Sequence, residues 1–211
     1  MRVEDARGFA PYSHFFSPRS RRYHFKPNLK LLVALLPYLH REGPPTQVLC
    51  PMAGVGAAPV LTLAFYRGAT RVVAWEEDSF WRSVCEENLA RNSFCRGRYE
   101  ILPPEMWGPA DGAVLATAPK PKFSHVQKWY EALSRNLREL SRCMVEGAIV
   151  IVSERVDQGY CEYVYTENLI TSALYRNFGR ARVVEVGEVE TQQSDQLNNI
   201  ERQVFVVAEA T

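Results

Sequence analysis

The chain has 211 residues, of which 46% are hydrophobic and 23% charged, a balance that suits one soluble domain with a sizeable core. Its formal net charge of +1 declares no global field for a nucleic-acid partner, and no stretch reaches the ~20 apolar residues of a membrane span. The five cysteines (Cys50, Cys85, Cys95, Cys143, Cys161) show no zinc spacing and leave an odd count, so free thiols in a reducing compartment are expected. Glu4, Asp5 and Arg7 leave no signal-peptide apolar core at the N-terminus. The expected location is cytoplasmic, and the expected organisation is one domain over 1–211, with 1–27 a basic and aromatic segment and 28–211 the core.

That first segment is irregular, and its charge is uneven. Ser17 to Lys30 holds Arg19, Arg21, Arg22, Lys26 and Lys30 and no acid. A solvated surface would explain this, but the interleaved Phe15, Phe16, Tyr23 and Phe25 favour a segment that contacts phosphates or bases. Asn28 to Arg41 carries Leu31, Leu32, Leu35, Leu36 and Leu39 at helical spacing, and Gly43-Pro44-Pro45 ends that helix. A strand at 47–50 opens a glycine-bearing turn. A helix follows over 57–67, a strand over 71–75, a helix over 79–92 and a short strand over 99–102. Asp111 to Thr117 reads as a fourth strand, with Asp111 starting it as a structural residue. A long helix runs from Phe123 to Met144, and Ala148 to Val152 is a buried fifth strand. After a helix over 162–178, Arg182–Val189 and Arg202–Ala208 form two extended runs. The loop between them is too short for a helical crossover, so they should pair antiparallel.

The most informative stretch is Cys50-Pro51-Met52-Ala53-Gly54-Val55-Gly56, between the strand ending at Cys50 and the helix opening at Ala57. The next strand runs into Glu76 and Glu77. Glycines admit a ligand close to the backbone, and an acid at the end of the next strand can bind ribose hydroxyls. Neighbouring strand residues point to opposite faces, so only one of Glu76 and Glu77 should face a ligand. A dinucleotide fingerprint would want a third glycine where Pro59 stands, which argues against a nicotinamide cofactor. The four histidines are scattered, and no ligand cluster suggests a metal.

Five β–α units closed by an antiparallel hairpin resemble a Rossmann-like class I S-adenosylmethionine-dependent methyltransferase, a mostly parallel seven-stranded sheet. Val48 to Gly56 is similar to the first motif of those enzymes, with Cys50 where an acid commonly stands. Val73-Ala74-Trp75-Glu76 resembles the second, and Glu87-Asn88-Leu89-Ala90-Arg91-Asn92 the helix end that follows. Phe16-Ser17-Pro18-Arg19 together with Ala53-Gly54-Val55-Gly56 resembles the tRNA guanine-N1 methyltransferases and their wybutosine-pathway relatives. The resemblance implies S-adenosylmethionine as cofactor, bound by Cys50, Ala53, Gly54 and Gly56, with Gly54 and Gly56 facing its methionine end, Glu76 on the ribose and Glu105 at the adenine. It implies a nucleic-acid substrate, tRNA ahead of DNA, docked by Arg19, Arg21 and Lys120, and no membrane.

The family's catalytic loop follows the fourth strand and begins with a polar residue before proline. Here that loop reads Thr117-Ala118-Pro119-Lys120. Ala118 offers a carbonyl but no side-chain acceptor, which leaves Thr117 as the nearest substitute. Methyl transfer asks mainly for positioning, so Thr117, Ala118 and Pro119 are the expected catalytic residues. Two alternatives stand beside this reading: a catalytically degenerate member of the fold that binds RNA or activates a partner subunit, and a methyltransferase for a small molecule or protein.

Overall fold

The structure, a computed structural model, describes residues 12–22, 29–40, 43–68, 70–116, 126–156, 160–179, 181–192 and 200–211. The leucine stripe forms α1 (Leu29–Leu35), which tightens into a 3-10 turn over Leu36–Leu39. The α-helix is shorter than the pattern over 28–41 suggested because Pro37 has no amide to continue it. Then come β1 (Gln47–Cys50), α2 (Ala57–Phe65), β2 (Arg71–Ala74), α3 (Ser79–Arg91), β3 (Tyr99–Ile101) and β4 (Ala110–Ala116). They are followed by α4 (Val126–Ser141), β5 (Met144–Val156), α5 (Tyr160–Phe178), β6 (Ala181–Gln192) and β7 (Ile200–Ala210).

Among the described residues, seven strands form one sheet in the order β3-β2-β1-β4-β5-β7-β6. β1 to β5 run parallel, and β7 lies antiparallel between β5 and β6. The expected hairpin is therefore present, from Ala181↔Ala210 to Gln192↔Ile200. β5 extends well beyond its apolar run at 148–152. It has a ladder on both sides, to β4 from Ala110↔Met144 and to β7 as far as Val156↔Arg202. That pairing also explains why α4 stops short of Met144.

Strand alternation divides the core. Val48 and Cys50 face α1 and α2, with Ile149, Ile151 and Phe205 beside them. Leu49 faces the opposite layer, where Leu133, Leu137 and Leu140 of α4 meet Val150, Val152 and Ile170. Each of these leucines is fully buried, which stabilises the fold by about 1.5–3 kcal/mol apiece. The chain winds outward from β1 through β2 to β3, and in the other direction from β4 to β5. Ligands of such sheets bind at the carboxyl ends of the strands, where the winding reverses.

Candidate functional site

The turn after β1 is built from backbone that few residue types tolerate. Met52, Gly54 and Gly56 all have left-handed φ, at 54°, 54° and 86°. At Gly56 an added Cβ would lie 2.9 Å from Cys85 Sγ, so glycine is required there for space as well as for φ. Met52 is the reverse case, a side chain held in a conformation that costs about 1–3 kcal/mol. The turn is tied to β2: Trp75 N–H donates to Cys50 O at 3.1 Å, and Ala53 N–H to Trp75 O at 2.8 Å.

Glu76 closes this arrangement. Its Oε2 accepts from Gly54 N–H at 2.7 Å and its Oε1 from Asp78 N–H at 3.1 Å. Burial pushes its carboxyl above the ordinary value of 4.5, and the two amide bonds oppose that shift. Each carboxylate oxygen has a second lone-pair site, so the group can still accept from two hydroxyls. Asp78 caps α3 by accepting from Phe80 N–H and Trp81 N–H at 2.9 and 3.1 Å. Arg82 donates to the carbonyls of Glu76 and Glu77, and its guanidinium lies 4.6 Å from the Trp75 ring centre. The end of β2 is thus fixed on three sides.

An open cavity of 540 Å³ lies over the carboxyl ends of β2 and β3. Met52, Trp75 and Glu76 form its inner wall, Pro103, Pro104 and Glu105 its rim beyond β3, and Ala132, Asn136 and Glu139 of α4 its outer wall. Across its mouth the exposed Arg135 and Glu77 pair at 2.8 Å. Glu76 and Glu77 both line the cavity, contrary to the expectation that only one would face a ligand: Glu76 is held by its two amide contacts and Glu77 by the ion pair with Arg135.

Cys50 turns its side chain away from the cavity. It is fully buried on the α1–α2 side of the sheet, and burial pushes its thiol well above the ordinary range. Strand alternation points it into the core, so it presents no side chain to the cavity. Ala53 is likewise buried. Gly54 reaches the site through its amide. Thr117, Ala118, Pro119 and Lys120 lie outside the described residues, as does the side chain of Arg21; β4 ends at Ala116, just before that loop. Among the described residues, no group of three or more His, Cys, Asp or Glu could hold a metal ion.

Asn88 and Asn92 have a role that no motif marks. Asn88 is completely buried. Its Oδ1 accepts from Ser17 N–H at 2.7 Å, and its Nδ2 donates to Ser20 Oγ and to Val55 O, both at 2.8 Å. Asn92 Nδ2 donates to Phe15 O at 2.9 Å. One carboxamide thus joins the N-terminal segment to the glycine turn. Two asparagines four apart on the inner face of a helix were the available signal, because such positions are otherwise apolar. Arg19 is held nearby by Glu87 at 3.1 Å and Ser83 at 3.3 Å, with its guanidinium 5.0 Å from the Phe80 ring centre. It remains about half exposed.

No protein-family model matches the sequence, and no curated protein matches it. Solved structures do share the fold. TrmN from Thermus thermophilus aligns with a TM-score of 0.61 at 16% identity, over 87% of this chain and 49% of TrmN. PH1948 from Pyrococcus horikoshii, described as a candidate RNA methyltransferase, aligns at 0.60 and 14% identity, over 86% of this chain and 82% of its own. TYW2 from P. horikoshii, solved with MeSAdo, aligns at 0.57 and 14% identity, over 90% of this chain and 66% of its own. This chain therefore spans about half the length of TrmN. At these identities the likeness establishes the class I methyltransferase fold.

Proposed function

We propose that the protein binds S-adenosylmethionine at the carboxyl ends of β1 to β3 and transfers its methyl group to a base nitrogen of nucleic acid, tRNA ahead of DNA. The observation that carries this reading is Glu76, anchored by Gly54 N–H at 2.7 Å on the floor of the cavity. A half-buried carboxylate with lone pairs to spare suits a ribose diol. The left-handed turn beside it keeps side chains away from the ligand. These donor and acceptor groups fit an adenosine-type cofactor, and the MeSAdo in TYW2 agrees with that class of ligand.

When bound, the cofactor would supply its sulfonium methyl group to the acceptor nitrogen, the S–C bond breaking as the N–C bond forms and S-adenosylhomocysteine leaving. The protein's task is then to hold that nitrogen in position, its proton passing to solvent water after transfer. Thr117, Ala118 and Pro119, directly after β4, are the residues assigned to this task. The nucleic-acid assignment is supported by the base-rich run from Ser17 to Lys30, by PH1948, and by the docking of Phe15 to Ser20 against the glycine turn.

Isothermal titration with S-adenosylmethionine tests the cofactor. Binding is expected, with Glu76→Ala weakening it at least about tenfold; no binding by the wild-type protein overturns the reading. A second reading rests on Ala118, which offers no side-chain acceptor in the catalytic loop. On that reading the protein is a non-catalytic subunit that binds RNA or activates a partner. Transfer of labelled methyl to unmodified tRNA favours the enzyme, and cofactor binding without transfer favours the subunit.

A further inference from the structure

We infer that Asn136 on α4 reads the exocyclic amine of the adenine ring by accepting a hydrogen bond at Oδ1. The inference rests on the reading of the cavity as an S-adenosylmethionine site. Asn136 lines the cavity and is only 9% exposed. Its Nδ2 donates to Ala132 O, one helical turn earlier, at 2.8 Å. That bond fixes the orientation of the amide, because a carbonyl can be met only by the NH2 end. The opposite end is therefore the oxygen, a pure acceptor, and it has no partner among the described residues.

The other side-chain acceptors on the cavity wall are all more exposed to water than Asn136, and those other than Glu105 already hold partners. Glu77 pairs with Arg135 at 2.8 Å, and Glu139 pairs with Arg142 at 2.6 Å. Asp78 caps α3, and Glu76 holds the turn. Glu105 stands exposed on the rim, where water competes for its carboxylate. Asn136 is thus the buried acceptor left for a donor edge. Adenine presents an amine at its six position, and hypoxanthine a carbonyl. A buried acceptor attracts the first and repels the second, and the contrast is larger out of water. The role expected of Glu105 passes to a residue on the facing helix.

The test is titration of S-adenosylhomocysteine and of its six-oxo counterpart, S-inosylhomocysteine, into the wild type, Asn136→Leu, Asn136→Asp and Glu105→Gln. Thermal melts without ligand establish that each variant is folded. The wild type should prefer the adenine ligand by about ten- to hundredfold. Asn136→Leu should erase that preference, whereas Asn136→Asp, which keeps an acceptor, should retain it, and Glu105→Gln should leave it unchanged. A preference that survives Asn136→Leu, or disappears in Glu105→Gln, overturns the assignment while leaving the cofactor reading intact. Binding of neither ligand by the wild type overturns both.

Discussion

The two halves of the sheet are held together by different means. β1, β2 and β3 are four, four and three residues long, whereas β5, β6 and β7 have thirteen, twelve and eleven. The long strands depend on long ladders and on apolar layers from α4 and α5. The short ones make few ladder bonds, and side chains take over. Asp111 accepts from the amides of Thr46 and Gln47 at 2.7 and 2.9 Å. Arg98 donates to the carbonyls of Thr70, Leu63 and Phe94. Asn88 and Glu76 tie down the glycine turn. Each such bond contributes only about 1 kcal/mol, but each leaves the backbone able to take a left-handed turn that a long ladder would forbid. The short half can therefore shape a site, and the long half gives it something rigid to stand on.

The contrast can be tested by damaging each half in turn. Leu137→Ala removes a fully buried side chain from the long half. It should lower unfolding free energy by about 2–5 kcal/mol in denaturant titration, with ligand affinity of the folded protein unchanged. A comparable loss of affinity would show that the halves are not separable.

Asn88→Ala damages the short half and should cost about 1–3 kcal/mol, since Ser17, Ser20 and Val55 lose a buried partner. Its signature should be local: faster hydrogen exchange at the Ser17 and Ser20 amides, with the amides of β5 and β7 still protected. Uniform acceleration would place Asn88 in the global core instead.

The smallest effect is the pH dependence of Glu76. Its folded pKa lies above the ordinary 4.5, through burial first. Its contribution to stability is therefore fully present below the unfolded value and is lost as pH rises through the folded one. On the proposed reading ligand binding has the opposite sign, because a ribose diol would donate to the carboxylate. Affinity should fall on acidification at a pH above 4.5, and Glu76→Gln should flatten that dependence. An unchanged profile in the variant would remove Glu76 from the ligand.

Local signals were enough for the elements and for one end of the site. Leucines at helical spacing, the apolar run at 148–152 and the short loop before β7 each carry their own structure, and the acid after β2 stands where the cavity opens. What failed did so for non-local reasons. The side chain of Cys50 joins the layer of α1 and α2, and which face of the sheet that is depends on packing from distant elements. The reach of β5 was hidden because Glu146, Gly147, Ser153 and Glu154 flank its apolar run, and its ends are held by neighbours distant in the chain.

The sequence alone determined that this chain folds as an α/β sheet with a closing hairpin and a glycine turn ahead of an acid. Periodicity, glycine and proline act within a few residues, so one strand of text records them. Only the tertiary structure decided that β7 inserts between β5 and β6, that Asn88 bolts the N-terminal segment to the turn, and that Asn136 shares a cavity with Glu76. Each of these joins residues far apart in the chain, through hydrogen bonds or packing whose partners no local pattern names.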